Sequence, residues 1–457
     1  MPDTHTHTRT ATLPPSVVGW FDALFALPLV VGLFFLLRLS PLSDVGLGIA
    51  LVIALALVMG IIELRRAPWR ALARTAQPFF EVVERATVKL LGFFAALCAI
   101  AFAYWLFPEY DRAYYDRFFE AARLVLPWLP FITIPYFFYV EWRLPREHGG
   151  AWEAAMLVLG KWKGIRWDEL SQYALGWLVK GFFLPIMFTD IVNNLGLLRA
   201  AEWNFLASGF LPSFQLTFSS LIYLELVFVS AGYIFTCRLF DTHIRAVEKT
   251  LFGWAIALMS YSPFLGLFYI RYLDYSVSGG GWIEWLSAYP AALYTWGGLI
   301  IVLLVVHLWS DACFGLRFSN LTHRGIITNG PFRFSKHPAY FIKNLRWWMV
   351  SVPFFAISPP EAVRLCLLLL LVNCVYTLRG YAEERMLSRD PTYVAYARWI
   401  EAHGLLRFLG RYVPAFSYEW RLARWRKQGY VPEEGSNENT IAQNGNLVPG
   451  DAVMYVR

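Results

Sequence analysis

Charge is what this chain has little of. Asp, Glu, Lys and Arg make up 16% of its 457 residues, against 57% hydrophobic and 18% aromatic. Soluble domains carry about a quarter charged residues, so this composition excludes a string of water-soluble domains and places long apolar runs in a bilayer. Cysteine is sparse too. The five present, Cys98, Cys237, Cys313, Cys366 and Cys374, are scattered with no Cys-x-x-Cys or Cys/His spacing, so neither a disulfide framework nor a zinc site is indicated. No Walker or G-x-G-x-x-G fingerprint is present, which argues against P-loop and Rossmann nucleotide sites. The triplet Asn320-Leu321-Thr322 matches a glycosylation acceptor but falls on a loop expected to face the cytoplasm, so it is read as chance.

What the chain does have is a series of span-length apolar runs, at about 17–37, 45–63, 90–107, 125–142, 173–193, 214–236, 251–270, 289–309, 339–358 and 361–380. The first follows a polar tail, 1–15, and is too long for the core of a signal peptide, so no cleaved leader is expected. Cations alternate from loop to loop, except that Arg112, Arg117 and Arg123 follow the third run, balanced by Asp111, Asp116 and Glu120. Arg65, Arg66, Arg70, Arg74 and Arg85 follow the second run, Arg143, Arg146, Lys161, Lys163 and Arg166 the fourth, Arg238, Arg245 and Lys249 the sixth, Arg317, Arg324, Arg333 and Lys336 the eighth. The positive-inside rule then puts both termini in the cytoplasm, in what is expected to be a bacterial inner membrane. The expected class is an all-α polytopic bundle of about ten spans. It divides into a scaffold and substrate region at 16–288, a catalytic core at 289–428 and a flexible tail at 429–457.

Chemistry concentrates in 325–340, G-I-I-T-N-G-P-F-R-F-S-K-H-P-A-Y, and in Glu383-Glu384 at the end of the last apolar run. Gly325 and Gly330 permit backbone conformations closed to other residues. Pro338 suits the first turn of a helix, which sets His337 at a helix start with Tyr340 in the same turn. Arg333 and Lys336 add positive charge. If the two apolar runs between these stretches form a helical hairpin, loop and carboxylates meet at one membrane face.

Taken together, G-P-F-R-F-S-K-H-P-A-Y, an apolar hairpin, E-E-R-M-L and a polar segment with Tyr393 and Tyr396 resemble the C-terminal signature of the isoprenylcysteine carboxyl methyltransferase and phospholipid methyltransferase families. The resemblance covers about the last quarter of the chain. It implies an integral membrane enzyme using S-adenosylmethionine, with Gly330, Lys336, His337, Pro338, Tyr340, Glu383 and Glu384 around the cofactor and His337, Arg333 and Glu384 as the catalytic set. Two positions depart from the pattern: Lys336 stands where Arg is usual, and Asp390-Pro391 where Phe-Gly is usual. The residue types suit that cofactor. Carboxylates pair with its ammonium or accept from ribose hydroxyls, and cations or backbone N–H groups suit its carboxylate. Methyl transfer is an in-line displacement in which positioning supplies much of the rate.

The expected acceptor is lipophilic, a membrane lipid or a lipidated molecule entering sideways from the bilayer. Substrate contacts are sought at Asp190, Asn193, Glu225, Trp347 and Arg379, because polar groups inside spans are expensive and suggest function. A Lys180–Glu225 pair across two helices is a further expectation, while Asp22 and Asp311 lie near span ends where water reaches them. Beyond Glu384, a basic aromatic stretch with Arg421, Trp420 and Trp425 reads as an amphipathic cap over the site. The net charge of +7 needs only anionic head groups, so no nucleic acid is expected. No feature of the sequence sets an oligomeric state. Two other readings are a nicotinamide-dependent reductase with a similar His-Pro-x-Tyr loop, in which Asn usually stands at the place of Ala339, and a transporter or scaffold built on Lys180, Asp190 and Glu225.

Overall fold

The structure is a computed structural model that describes residues 12–71, 77–145, 148–203, 209–277 and 281–432. It is 74% helical. The principal helices are α1 (Asp22–Leu37), α2 (Asp44–Arg66), α3 (Phe79–Leu106), α4 (Leu129–Arg143), α5 (Trp167–Ala200), α6 (Phe210–Ile234), α7 (Leu251–Leu258), α8 (Pro290–Ala312), α9 (Pro338–Ser351), α10 (Pro359–Leu387), α11 (Pro391–His403) and α12 (Tyr418–Lys427). Among the described residues, seven segments are long and apolar enough to cross a membrane: α2, α3, the Ala113–Arg143 stretch that ends in α4, α5, α6, α8 and α10. Large apolar side chains such as Leu57, Trp105, Phe131 and Leu367 stand exposed on their outer faces. A bilayer, not water, is the medium that suits such faces.

Three of the expected spans take a different form. The run 251–270 is broken: α7 stops at Leu258, and after Pro263 the chain resumes as a single wide turn at Gly266–Ile270. Pro263 lacks an N–H and Gly266 has no preference for helix, so the apolar run cannot hold one continuous helix. Helix α9 has 14 residues, about 21 Å of rise against a hydrocarbon core of about 30 Å. It ends where Val352 takes a left-handed conformation, φ 40°, before Pro353. The third, α1, has 16 residues, about 24 Å.

The largest apolar cluster joins α1, α2, α5 and α6 and includes Leu51, Leu55, Ile191 and Phe228. A second cluster surrounds the loop before α9. Ile326, Ile327 and Phe332 meet Tyr393, Tyr396, Tyr418 and Trp425 there, and Val18 from the chain's beginning joins them. Thus the start of the chain is built into its C-terminal third. Val17 N–H donates to the Ile326 carbonyl at 3.2 Å, and Thr328 Oγ1 donates to the Pro14 carbonyl at 2.8 Å. The tails expected at 1–15 and 429–457 lie mostly outside the described residues, yet their inner ends pack: Leu13 against the second cluster, and Val431 within it. One small ladder interrupts the helices. Ala246–Val247 pairs antiparallel with Thr322–His323, tying the loop after α6 to the loop after α8.

Candidate active site

The hairpin forms. Helix α9 opens with Pro338 in its first turn, α10 runs back past it, and the two stretches flagged by sequence meet. Tyr340 donates its hydroxyl hydrogen bond to Glu383 Oε1. Lys336 Nζ lies 2.8 Å from Glu384 Oε2, and His337 Nε2 lies 3.1 Å from Glu384 Oε1. Both glycines sit at positive φ, 114° at Gly325 and 54° at Gly330. A Cβ at Gly330 would lie 2.6 Å from Cys313 Sγ, so side-chain-bearing residues are barred on space as well as on backbone.

Glu384 is a junction rather than an open ligand. It is almost fully buried, and beyond Lys336 and His337 it takes Arg421 Nη2 from α12 at 2.9 Å. Two cations and an imidazole therefore saturate its oxygens. Helix α12 caps the cluster as expected: the Tyr418 ring lies 4.9 Å from Lys336 Nζ, and its hydroxyl is 2.9 Å from Ser388 Oγ. Burial pushes the Lys336 ammonium below the ordinary lysine range, although Glu384 pulls the other way. Burial likewise raises the Tyr393 and Tyr396 hydroxyls, with Glu384 adding to it. Tyr396 holds the loop by donating to the Phe332 carbonyl at 2.7 Å.

Glu383 is placed differently. It is less buried, and its second oxygen lies 3.7 Å from His337 Nδ1. The His337 and Tyr340 rings stack at 5.5 Å with 2° between planes. Behind His337 lies Gly380, where a Cβ would come within 3.2 Å of the imidazole. Arg379 lies 5.0 Å from both the Tyr340 and Tyr376 rings, and its Nη2 donates to Asn320 Oδ1 at 3.2 Å. Its Nε is buried with no hydrogen-bond partner among the described residues. Arg379 and Glu383 come together with Glu248, Gly253 and Met386 around a packing gap too small to admit a water molecule.

Other expected site residues are elsewhere. Arg333 is exposed and makes no side-chain hydrogen bond or ion pair with a described residue. Trp347 packs on Tyr376 at 4.9 Å, in an apolar cluster with Leu369 and Val372. The Lys180–Glu225 pair does not form: Glu225 lies 3.2 Å from His307 Nδ1 on α8, and Lys180 faces the Trp177 ring at 5.4 Å. Asp190 accepts from the Tyr114 hydroxyl at 2.7 Å, an internal contact, and Asn193 points outward. Asp22 and Asp311 are buried rather than wet. Asp22 pairs with Arg66 and accepts from the Gly19 N–H, because the chain before α1 folds across that end of the bundle. Asn320 is buried between Arg379 and Tyr261, in keeping with a chance match to the glycosylation pattern.

Sequence reading missed the aromatic surround of Arg379, made by Tyr261, Tyr340 and Tyr376, since no spacing links those positions. It also missed His307, for which a signal existed. His307 and Asp311 lie at i, i+4 within an apolar run, and with Glu225 they form a buried cluster whose ligand atoms all lie within 4.8 Å. Lys343 and Arg346 of α9 are within electrostatic reach of both carboxylates, so the cluster is compensated by protein cations. No family model matches the chain, and neither a curated protein nor a solved structure matches it.

Proposed function

We propose that the junction of the 325–340 loop with α10 binds S-adenosylmethionine and that the chain transfers a methyl group to a lipophilic acceptor. The observation that carries this reading is the meeting of Glu383 and Arg379 beside the stacked rings of His337 and Tyr340. A carboxylate with spare acceptor capacity and a guanidinium with an unpartnered Nε are the complement of an α-amino acid's ammonium and carboxylate. The gap between them is closed to water, so an amino-acid group enters only if these side chains part. When bound, that cofactor supplies an activated methyl group.

In this reading Glu383 and Arg379 hold the amino-acid end, and His337 with Tyr340 forms a flat wall beside it. Glu384, Lys336 and Arg421 keep the loop against α10, so their part is positioning. A carboxylate acceptor needs no base; for an amine or hydroxyl, His337 is the group placed to take the proton. The motif resemblance and the alternation of loop cations support a cytoplasmic site in an inner membrane.

Binding of radiolabelled S-adenosylmethionine to the purified full chain tests this. Wild type should bind, and Glu383→Gln and Arg379→Met should each lose binding. Binding retained in both variants, or tight NADPH binding in its place, would overturn the assignment. Lipid analysis of a deletion strain for species lighter by one methyl group would then identify the acceptor.

A further inference from the structure

A second and much larger space lies away from this cluster. Helices α3, α4 and α5 enclose a cavity of about 2480 Å³ that meets the C-terminal region only at Asp390, Pro391 and Thr392. That exceeds the roughly 300–1,000 Å³ of sites for drug-sized ligands. We propose that it holds one bilayer phospholipid with a net negative head group, independently of the reaction at Glu383.

The lining is arranged as an amphiphile requires. Along α5 the wall runs from Asp168 and Gln172 through Lys180 to Leu184 and Phe188. Along α3 it runs from Lys89 to Phe93 and Leu97, and α4 runs the other way, from Leu129 and Ile132 to Glu141. Lys89 Nζ binds Glu141 Oε1 at 2.7 Å, and the Phe93 ring meets Phe137 and Trp177 at 5.6 and 5.4 Å. The polar ends of α3 and α4 therefore coincide, with the polar half of α5 beside them. The remainder is an apolar channel between helices whose other faces suit lipid.

The sign of the head group follows from which charges are already answered. Of the lining carboxylates, Glu141 is held by Lys89, Asp168 by Lys249, Glu169 by Arg166 and Asp390 by His323, while Asp111 lies exposed beyond the other end of α3. Lys180 lines the cavity with no ion pair or hydrogen bond to a described residue. An ammonium left open on the wall calls for an anion. A phosphate diester on a two-chain lipid supplies both that anion and the apolar volume.

The test uses the full chain purified in detergent, stripped and re-exposed to mixed micelles containing phosphatidylglycerol, phosphatidylcholine or oleate. Retained lipid is counted by native mass spectrometry. Wild type should keep one phosphatidylglycerol per chain in preference to the other two. Lys180→Met should reduce that preference about tenfold, the effect of one charge-assisted contact. Lys180→Arg should preserve it, and Ala101→Trp, which fills the apolar part of the channel, should displace all three. The proposal falls if wild type keeps phosphatidylcholine or oleate as well as phosphatidylglycerol. It also falls if Lys180→Met leaves the preference unchanged, or if Ala101→Trp retains full occupancy. Should Lys180→Met not fold, the arginine and tryptophan variants still decide.

Discussion

The Glu384 junction and the α3–α4–α5 cavity treat buried charge in opposite ways. At the junction each charge has a partner: Glu384 answers Lys336 and Arg421, and almost no space is left beside them. In the cavity there is ample space, and Lys180 has no ion pair with a described residue. Saturated charge in a tight site holds elements together, because removing one member strands the rest. Unanswered charge beside open volume is instead poised for something from outside. Glu383 and Arg379 lie between these extremes, next to the junction but with capacity to spare.

The sharpest way to break this contrast is Glu384→Ala. It leaves Lys336 and Arg421 buried without an anion and should cost about 3–5 kcal/mol of stability, measured by unfolding of the detergent-solubilised protein. Replacing both cations by Met in the same variant should recover most of the loss; if it does not, Glu384 is more than a lock. Glu383→Gln should do the reverse. S-adenosylmethionine affinity should fall about tenfold to a hundredfold, as for a lost charge-assisted bond, while stability changes by under about 1 kcal/mol. Equal effects of the two glutamate changes on stability would erase the distinction drawn between them.

Smaller effects refine the picture. Tyr340→Phe removes one hydrogen bond to Glu383 and should cost about 1 kcal/mol in unfolding free energy. Asp390 offers a pH-dependent check. Burial pushes its carboxyl up, but the hydrogen bonds from His323 and Thr392 outweigh this and hold it below the usual carboxylate range. A depressed carboxylate contributes stability above its ordinary value of about 4, and that contribution is lost as pH falls through the folded-state value. Asp390→Ala should therefore be less stable than wild type by about 1 kcal/mol at neutral pH. The gap should close in acid, as followed by unfolding curves at several pH values.

Much of the candidate site was legible because its parts are short-range. Gly330, Pro338 and Tyr340 sit where a turn, a helix start and a first-turn side chain need them, and an apolar out-and-back hairpin returns Glu383 to the same end. The division of labour between Glu383 and Glu384 was not legible. Adjacent residues on a helix point about 100° apart, and only the packing of α12 shows which of the two meets Arg421. The broken run 251–270 was readable in principle from Pro263 and Gly266, but apolar content outweighed them. The Lys180–Glu225 expectation failed because it rested on neighbouring helices without knowledge of their rotation.

The sequence by itself determined that the chain is helical and built for a bilayer. Scarce charge and long apolar runs leave no other way to satisfy both side chains and backbone. It also determined which loop carries glycine, cation and imidazole together. Tertiary structure alone decided which charges are answered and which are left open, since that depends on helix rotation and on contacts across tens to hundreds of residues. Composition and spacing do not encode those quantities one segment at a time.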